Sequence, residues 1–301
     1  MLNDLAALYA ANLVLFVGSV FILGLVVGSF LNVVIYRLPI MLNKEWQLQA
    51  AEVLAQPPPV QASERFTLST PCSACPHCKA PITALQNIPL LSWLLLRGRC
   101  ASCKRPISPR YPLVELATGL LSAAVAWHFG FGAAAVCGVL ITWTLIAMTG
   151  IDVDHQLLPD NLTLPLMWAG LLAAVLIGPT PGVALPVSPG NAILGAAAGY
   201  LSLWLVFQAF KLVTGKEGMG YGDFKLFAAL GAWLGWKALP LIIVLSAATG
   251  AVLGILMILL RGRDRAAPMP FGPYLAAAGW IAMLYGDSLV NGYLRLSGLK
   301  H

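Results

Sequence analysis

The sequence predicts an all-α polytopic membrane protein of about eight transmembrane helices, interrupted by one small extramembrane insert. Three observations predict this fold class. The 301 residues are 59% hydrophobic and only 10% charged, with a mean hydropathy of +0.81, so they carry more apolar surface than a soluble chain of this length buries. Apolar runs of about 17–25 residues recur along the chain. A single sizeable polar stretch lies between the first two runs.

Helices rather than β-strands are predicted to cross the membrane, because no alternating ten-residue barrel pattern is present and helices satisfy their own backbone polar groups. The first apolar run has no basic stretch before it and no small-residue cleavage site after it, so it is predicted to be a retained helix. The eight predicted spans are residues 11–36, 113–129, 133–151, 162–178, 191–213, 224–236, 239–260 and 270–287.

The spans divide the chain into three predicted parts: a first transmembrane helix (1–36), a polar insert (37–112) and a transmembrane bundle (113–301). Nine of the eighteen Lys and Arg residues lie between the first two spans. Because cytoplasmic loops are enriched in Lys and Arg, the insert is predicted to be cytoplasmic. Alternation of the later spans places three further segments on the same side, residues 152–161, 216–223 and 261–265.

The insert contains two copies of one cysteine pattern, "CPHCKAPI" (75–82) and "CASCKRPI" (100–107). Two thiolates three residues apart on a tight turn form half of a tetrahedral zinc site, and two such turns complete it. A site closed by four thiolates is structural, so the insert is predicted to be a four-cysteine zinc ribbon. A pair of disulfides is the alternative, which a reducing cytoplasm disfavours. The predicted ligands are Cys75, Cys78, Cys100 and Cys103.

Two further cysteines are not assigned to the metal. Cys72 makes the first copy read C-x-x-C-x-x-C, so on spacing alone Cys72 and Cys75 are also a ligand pair. In both copies a C-x-x-C pair stands directly before a K-x-P-I sequence, and in the first copy that pair is Cys75 and Cys78. This repeat favours Cys75 and Cys78 as ligands. Cys137 lies in an apolar span and is predicted to be a packing residue.

Acidic residues at or just inside span ends are the candidates for chemistry, because an ionisable group at membrane depth is unfavourable unless it faces a wet cavity or a partner. Asp160 follows Pro159 and precedes a span, which suits a helix N-cap. Asp154 suits a solvated interfacial position. The chain has twelve acids, of which the informative ones are Glu115, Asp152, Asp154, Asp160 and Asp223.

Asp223 lies at the start of a predicted span, in "GMGYGDFKL" (218–226). Gly220 and Gly222 permit left-handed or extended backbone and the close approach of another chain, as a bound substrate peptide requires. Two neighbouring carboxylates share a proton, so that one acts as general acid while the other takes a proton from water, and such a pair hydrolyses amides. Asp152, 71 residues earlier at another span end, is the predicted second carboxylate.

Other hydrolytic patterns, G-x-S-x-G and H-E-x-x-H, are absent from the sequence. The chain instead resembles the bacterial type IV prepilin leader peptidases, membrane aspartyl proteases of the G-x-G-D type. Besides the paired cysteine turns, the segments that carry this resemblance are "GSFLNVVIYRLP" (28–39), "NIPLLSW" (87–93), "RYPLVELATG" (110–119), "IDVDHQLLPD" (151–160), "TGKEGMGYGDFKL" (214–226) and "PFGPYL" (270–275).

This resemblance implies an enzyme of the bacterial inner membrane that cleaves the leader of type IV prepilins and type II secretion pseudopilins after a glycine, at the cytoplasmic face. It also implies N-methylation of the new N-terminus with S-adenosylmethionine, an activity that follows from the resemblance alone. Its catalytic pair maps onto Asp152 and Asp223, and its zinc ligands onto the four cysteines of the paired turns.

Three other functions are less consistent with the sequence. An ion-coupled transporter also places acids in spans and breaks helices with glycine, but its site lies near the midplane between repeated halves. A zinc-ribbon scaffold for pilus assembly leaves the settings of Asp152 and Asp223 unexplained. Nucleic-acid binding is disfavoured because the insert has no dense basic-aromatic stripe and is joined to membrane spans at both ends.

Overall fold

The computed structural model describes residues 2–55, 66–179, 185–261 and 270–297, so most of the predicted loop at 261–265 lies outside the described residues. Within these ranges the fold is all-helical, with two isolated β-bridges and no β-strand. The predicted fold class is confirmed. The described α-helices are α1 (Leu2–Ala11), α2 (Leu13–Val53), α3 (Leu91–Leu95), α4 (Arg110–Phe129), α5 (Ala133–His155), α6 (Asp160–Leu176), α7 (Pro189–Thr214), α8 (Tyr221–Leu234), α9 (Leu239–Arg261) and α10 (Gly272–Leu296).

The chain forms two compact units, Met1–Trp127 and His128–His301. The first unit contains α1 to α3 and nearly all of α4, and the second contains α5 to α10. The three-part division at residues 36 and 112 stays a prediction.

Among the described residues, five segments are long and apolar enough to cross a membrane, so the chain is a membrane protein. They are Leu13–Val53, Arg110–Phe129, Ala133–His155, Pro189–Thr214 and Trp236–Leu256. The predicted count of eight is not confirmed. The helix α6 has 17 residues and α8 has 14, and a 14-residue helix reaches only about 21 Å, short of a hydrocarbon core about 30 Å thick.

In the first unit, α2 continues far beyond residue 36, where its apolar sequence ends. Arg37 is buried at this point, and its guanidinium donates hydrogen bonds to the carbonyls of Thr67 (2.9 Å) and Pro71 (2.6 Å). These bonds attach the beginning of the insert to the side of the helix. The polar sequence after residue 36 therefore reflects a contact with the insert and not the end of the helix.

The helices α2 and α4 approach each other through glycine. A β-carbon on Gly24 would lie 2.9 Å from the Cα of Gly119, and one on Gly28 would lie 2.7 Å from the Cα of Glu115. Small residues allow helix backbones to pack this closely in a membrane. The side chain of Asn32 then donates to the Tyr111 carbonyl (3.1 Å) at the start of α4.

In the second unit, α8 is buried on nearly all sides, as expected for a helix that is apolar all round. The backbones of Gly195 on α7 and Gly231 on α8 pack directly against each other. On the α6 side, Trp233 Nε1 donates to the Leu166 carbonyl (2.8 Å). The helix that carries Asp223 is therefore fixed between two neighbours, and its short length is compatible with a position inside the bundle.

Candidate active site and metal centre

Asp152 lies in the last turn of α5 and is buried. Its Oδ2 accepts a hydrogen bond from the backbone N–H of Gly272 (3.0 Å), the first residue of α10. A helix N-terminus offers unpaired N–H groups and a partial positive charge, both of which favour an anion. The fold therefore holds the Asp152 carboxylate at the start of a second helix, 120 residues further along the chain.

Asp223 lies in the first turn of α8, as predicted, and is also buried. It is close enough to Asp152 for the two carboxylates to interact electrostatically. Leu158 packs against the backbone beside both aspartates. A β-carbon on Gly222 would lie 2.7 Å from Leu158 Cβ, and one on Gly272 would lie 3.1 Å from Leu158 Cδ1. The structure thus brings the two aspartates into one buried site.

The two glycines before Asp223 differ in their surroundings. Gly220 has extended backbone (φ −82°) and precedes α8, and a β-carbon there would lie 3.8 Å from Asp223 Oδ2. Gly222 is helical and is approached closely by Leu158 of the protein itself. Close approach is therefore observed at Gly222, whereas Gly220 leaves space beside the carboxylate. That either glycine faces a substrate stays a prediction.

Asp160 is not an N-cap, and that interpretation is wrong. Pro159 precedes the first residue of α6, and no side chain caps this helix. Both carboxylate oxygens of Asp160 instead accept hydrogen bonds from Lys225 Nζ on α8 (2.6 and 2.7 Å). A tertiary ion pair has replaced the local cap that the sequence suggested.

The remaining candidate acids lie outside this pair. Asp154 and His155 are exposed at the end of α5. Glu115 is buried in α4, in the first unit, where Oε2 accepts the backbone N–H of Leu90 (2.8 Å). Leu90 has a positive φ of 58°, so Glu115 fixes a strained turn of the insert.

The four predicted cysteine ligands come together. All four Sγ atoms lie within 4.8 Å of one another; Cys75 and Cys103 are 3.8 Å apart, and Cys78 and Cys100 are 4.0 Å apart. Tetrahedral coordination with Zn–S bonds of about 2.3 Å places sulfurs about 3.8 Å apart. These thiols therefore fit a tetrahedral metal ion.

The two cysteine turns have the same geometry. The Lys79 N–H donates to the Cys75 carbonyl (2.9 Å) and the Lys104 N–H to the Cys100 carbonyl (3.1 Å), and both lysines have φ of 59°. Backbone N–H groups of Cys78 and His77 donate to the Cys75 sulfur and lower the pKa of that thiol to about 6. In the second turn, backbone N–H groups of Cys103 and Ser102 likewise lower the pKa of the Cys100 thiol, whereas burial and its hydrogen bonds to the other cysteines raise the pKa of the Cys103 thiol to about 11. The repeat in the sequence is thus a structural repeat in which the first cysteine of each turn has a lowered pKa.

The other two cysteines are separate from this cluster. Cys72 is exposed and is not part of the four-sulfur group, and Cys137 is buried in α5. Packing is therefore a sufficient role for Cys137, as predicted.

Three residues of these sites were not found by reasoning from the sequence. Gly272 and Leu158 complete the aspartate site, and Arg37 holds the insert. Only the helix-start pattern Gly-Pro at residues 272–273 was a visible signal. No pattern indicated that this helix start approaches Asp152.

Fold and site together define a helical membrane protein with a buried aspartate pair and a four-cysteine cluster that fits a metal ion. Two family profiles match the chain: Bacterial Peptidase A24 N-terminal domain over residues 22–129, and Type IV leader peptidase family over residues 139–255. The chain belongs to the type IV leader peptidase family, as the resemblance implied.

Three similar proteins each bear the name prepilin leader peptidase/N-methyltransferase. The protein of Stutzerimonas stutzeri is 56% identical over 96% of this chain and 98% of its own length. That of Aeromonas hydrophila is 57% identical over 93% and 94%, and that of Pseudomonas aeruginosa is 55% identical over 97% and 98%. No solved structure matches the chain.

Proposed function

We propose that this protein cleaves the leader peptide of type IV prepilins with Asp152 and Asp223 and then N-methylates the new N-terminus. The observation that carries the proposal is the burial of two aspartates, 71 residues apart in sequence, in one site built from the ends of α5, α8 and α10. The relatives named above support both activities. They give no support to a transporter.

In the proposed mechanism Asp152 is the ionised member of the pair, because the N–H of Gly272 stabilises its anion. Asp152 takes a proton from a water molecule, which attacks the scissile carbonyl. Asp223 holds the shared proton and donates it to the carbonyl oxygen, since two adjacent carboxylates do not both ionise readily. As the tetrahedral intermediate collapses, Asp152 gives the proton taken from water to the leaving amine, and the proton on the former carbonyl oxygen returns to Asp223.

The substrate is proposed to approach on the side of Gly220. The backbone there is extended, and among the described residues a β-carbon on Gly220 would meet only Asp223 Oδ2 and the Gly222 nitrogen within 4 Å. Gly222 supports the site differently, because only glycine fits against Leu158. We propose type IV prepilins and type II secretion pseudopilins as substrates, cleaved after a glycine.

The metal of the four-thiolate centre is proposed to be zinc, bound by Cys75, Cys78, Cys100 and Cys103. Bound zinc supplies a rigid crosslink between the two cysteine turns, with no coordination position open for catalysis. S-adenosylmethionine is proposed as methyl donor from the activity named in the relatives. The described residues do not form a strand-turn-helix nucleotide pocket, and we assign none of them to this cofactor.

The protein is proposed to lie in the bacterial inner membrane, in contact with its lipids. The excess of Lys and Arg between the first two predicted spans supports a cytoplasmic insert. The same alternation supports a cytoplasmic position for the ends of α5 and α8 that carry the aspartates.

The test is leader cleavage of a purified prepilin by wild-type protein and by Asp152→Asn and Asp223→Asn, with Asp154→Asn as matched control. Loss of a general acid or base is expected to lower cleavage by about 10²–10⁴-fold. Asp154 is exposed near the same helix end, so its variant should cleave normally. Methylation of an already cleaved pilin, assayed in the same preparations, should persist in all three variants.

Two outcomes would contradict the proposal. Near wild-type cleavage by either pair variant would remove that aspartate from the mechanism. Absence of both cleavage and methylation in a folded wild-type preparation would refute the activity itself.

A further inference from the structure

The segment between the two cysteine turns presents large apolar side chains to the outside of the insert. Leu85 is 78% exposed, Leu91 50%, Leu94 63% and Leu95 74%. We call these four residues the leucine face. Four largely exposed leucines within eleven residues are unusual for a polar segment outside the spans, and such a patch marks a surface that binds something apolar.

The orientation of α3 explains why these leucines face outward. Ser92 is buried and donates from Oγ to the Leu85 carbonyl (2.8 Å), and Trp93 Nε1 donates to the Ile107 carbonyl (3.4 Å). The Trp93 ring also packs on Gly98. These contacts hold Ser92 and Trp93 on the inner side of α3. Because residues i, i+3 and i+4 share one face of a helix, residues 91, 94 and 95 then face outward together.

Cations follow the leucine face immediately. Arg97, Arg99 and Lys104 line one cavity of about 270 Å³, together with Leu96 and Cys100. We call this the basic cavity. The left-handed backbone at residues 97, 98 and 104 turns the chain back on itself and places the two arginines beside the second cysteine turn. A cavity lined by three cations fits a phosphate group.

Contacts with membrane helices fix where this surface lies. The N–H of Leu90, next to the leucine face, donates to Glu115 Oε2 on α4 (2.8 Å). Glu115 is five residues into a candidate span that begins at Arg110, a distance of about 7.5 Å along the helix. Gly28 of α2, another candidate span, packs against the same residue. The leucine face is therefore attached near the end of a membrane helix.

From this arrangement we infer that residues 85–104 form an interfacial anchor on the bilayer that the protein spans. The leucine face enters the apolar boundary of the lipid, and the basic cavity holds the phosphate of an anionic headgroup. Exposed leucines beside cations are the pattern of elements that lie in the plane of a membrane interface. A negatively charged leaflet attracts each cation near its surface.

Charge and position favour anionic lipid over a basic peptide as the occupant. A basic peptide would be repelled by Arg97, Arg99 and Lys104, whereas anionic lipid is attracted to them. The first cysteine turn provides a comparison, because Lys79 matches Lys104 but the three residues directly before this turn include no arginine, whereas Arg97 and Arg99 stand directly before the second turn. The cations are thus concentrated on the copy that follows the leucine face, although both copies hold the metal.

The inference is tested by hydrogen exchange of the full chain in nanodiscs of phosphatidylcholine, with and without phosphatidylglycerol. Peptides covering residues 84–105 should exchange at least about fivefold more slowly with the anionic lipid, the effect expected of one cation at such a surface. In the combined Arg97→Gln, Arg99→Gln and Lys104→Gln variant, the anionic lipid should no longer slow hydrogen exchange. Lys79→Gln, the matched control, should retain it.

A second variant tests the apolar part. Leu94→Ser with Leu95→Ser should increase exchange in both kinds of nanodisc, because it removes insertion rather than charge attraction. Metal content is measured in each variant. The inference is overturned by equal exchange of the wild type in both lipids, by equal effects of Lys79→Gln and the triple variant, or by unchanged exchange in the leucine variant. Loss of metal in the triple variant, or equal slowing by inorganic phosphate in phosphatidylcholine nanodiscs, also overturns it.

Discussion

At the residue scale, each aspartate of the site is defined by the glycine beside it. Gly272 brings a backbone N–H to Asp152, and Gly222 lets Leu158 pack against the helix of Asp223. The absence of a β-carbon matters most at Gly272, where an added one would lie 2.5 Å from Asp152 Oδ2. The position of the carboxylate therefore depends on a residue that has no side chain of its own.

We predict that Gly272→Ala lowers prepilin cleavage at least about tenfold while the protein stays folded. The new methyl group must displace the Asp152 carboxylate, and a displacement of about 1 Å in an active site costs up to about 10²-fold in rate. Gly286→Ala, on the same helix, is the control, since its β-carbon would only touch Leu241 at 3.9 Å. Cleavage rates and thermal unfolding are measured for both. Equal rates in the two variants would show that Asp152 is not held through Gly272.

At the scale of elements, the short connection between α5 and α6 links the two halves of the aspartate site. Asp152 lies just before it, Leu158 lies within it, and Asp160 lies just after it. The ion pair between Asp160 and Lys225 ties the end of this connection to α8, two residues beyond Asp223. The ion pair is therefore expected to set the spacing between the two carboxylates.

We predict that Lys225→Met and Asp160→Asn each lower kcat of cleavage more than they change KM. The pair is partly exposed, so it contributes only about 0.2–1 kcal/mol to stability, whereas movement of α8 alters the catalytic geometry directly. Lys225→Arg should restore most of the activity, and the exchanged pair Lys225→Asp with Asp160→Lys should recover part of it. A lowered Tm without any change in kcat would mean that the pair is merely structural.

The sequence predicted most helix positions because apolar runs report membrane burial directly. The continuation of α2 to Val53 was not visible in the sequence, because Arg37 is held by carbonyls of residues 67 and 71 and no local signal encodes those distant partners. The cap interpretation of Asp160 failed for the same reason: the partner, Lys225, lies 65 residues away. The predicted span at 224–236 is not confirmed, because α8 is buried among its neighbouring helices and burial within protein is sufficient to explain its apolar composition.

The candidate sites were predictable to different degrees. The four thiols were identified because the repeated turn is a local pattern, and each turn carries its own backbone hydrogen bonds to hold the sulfurs. The aspartates were identified as unusual charges in apolar surroundings. Their proximity, and the part played by Gly272, depend on how helix ends meet, which spacing along the chain does not determine.

At the scale of the whole molecule, the four-cysteine cluster and the aspartate site belong to different compact units. The described residues 66–109 of the insert bury few apolar side chains, so a metal ion bound to the four cysteines would supply much of the free energy that holds the insert together. The aspartate site is instead held by helix packing within its own unit. We therefore expect loss of the metal to unfold the insert while the aspartate pair keeps its geometry.

Cys75→Ser removes one of the four cysteine ligands, and Cys72→Ser is its matched control. Wild-type protein and Cys72→Ser should each bind one zinc ion per chain, because Cys72 lies outside the four-sulfur cluster. Cys75→Ser should lose the metal and become sensitive to limited proteolysis within residues 66–109, yet still cleave a prepilin at a rate within about tenfold of wild type. Loss of zinc from the Cys72 variant would mean that the ligand set is wrong. Loss of cleavage together with zinc would show that the aspartate site depends on the metal-bound insert, which its own packing gives no reason to expect.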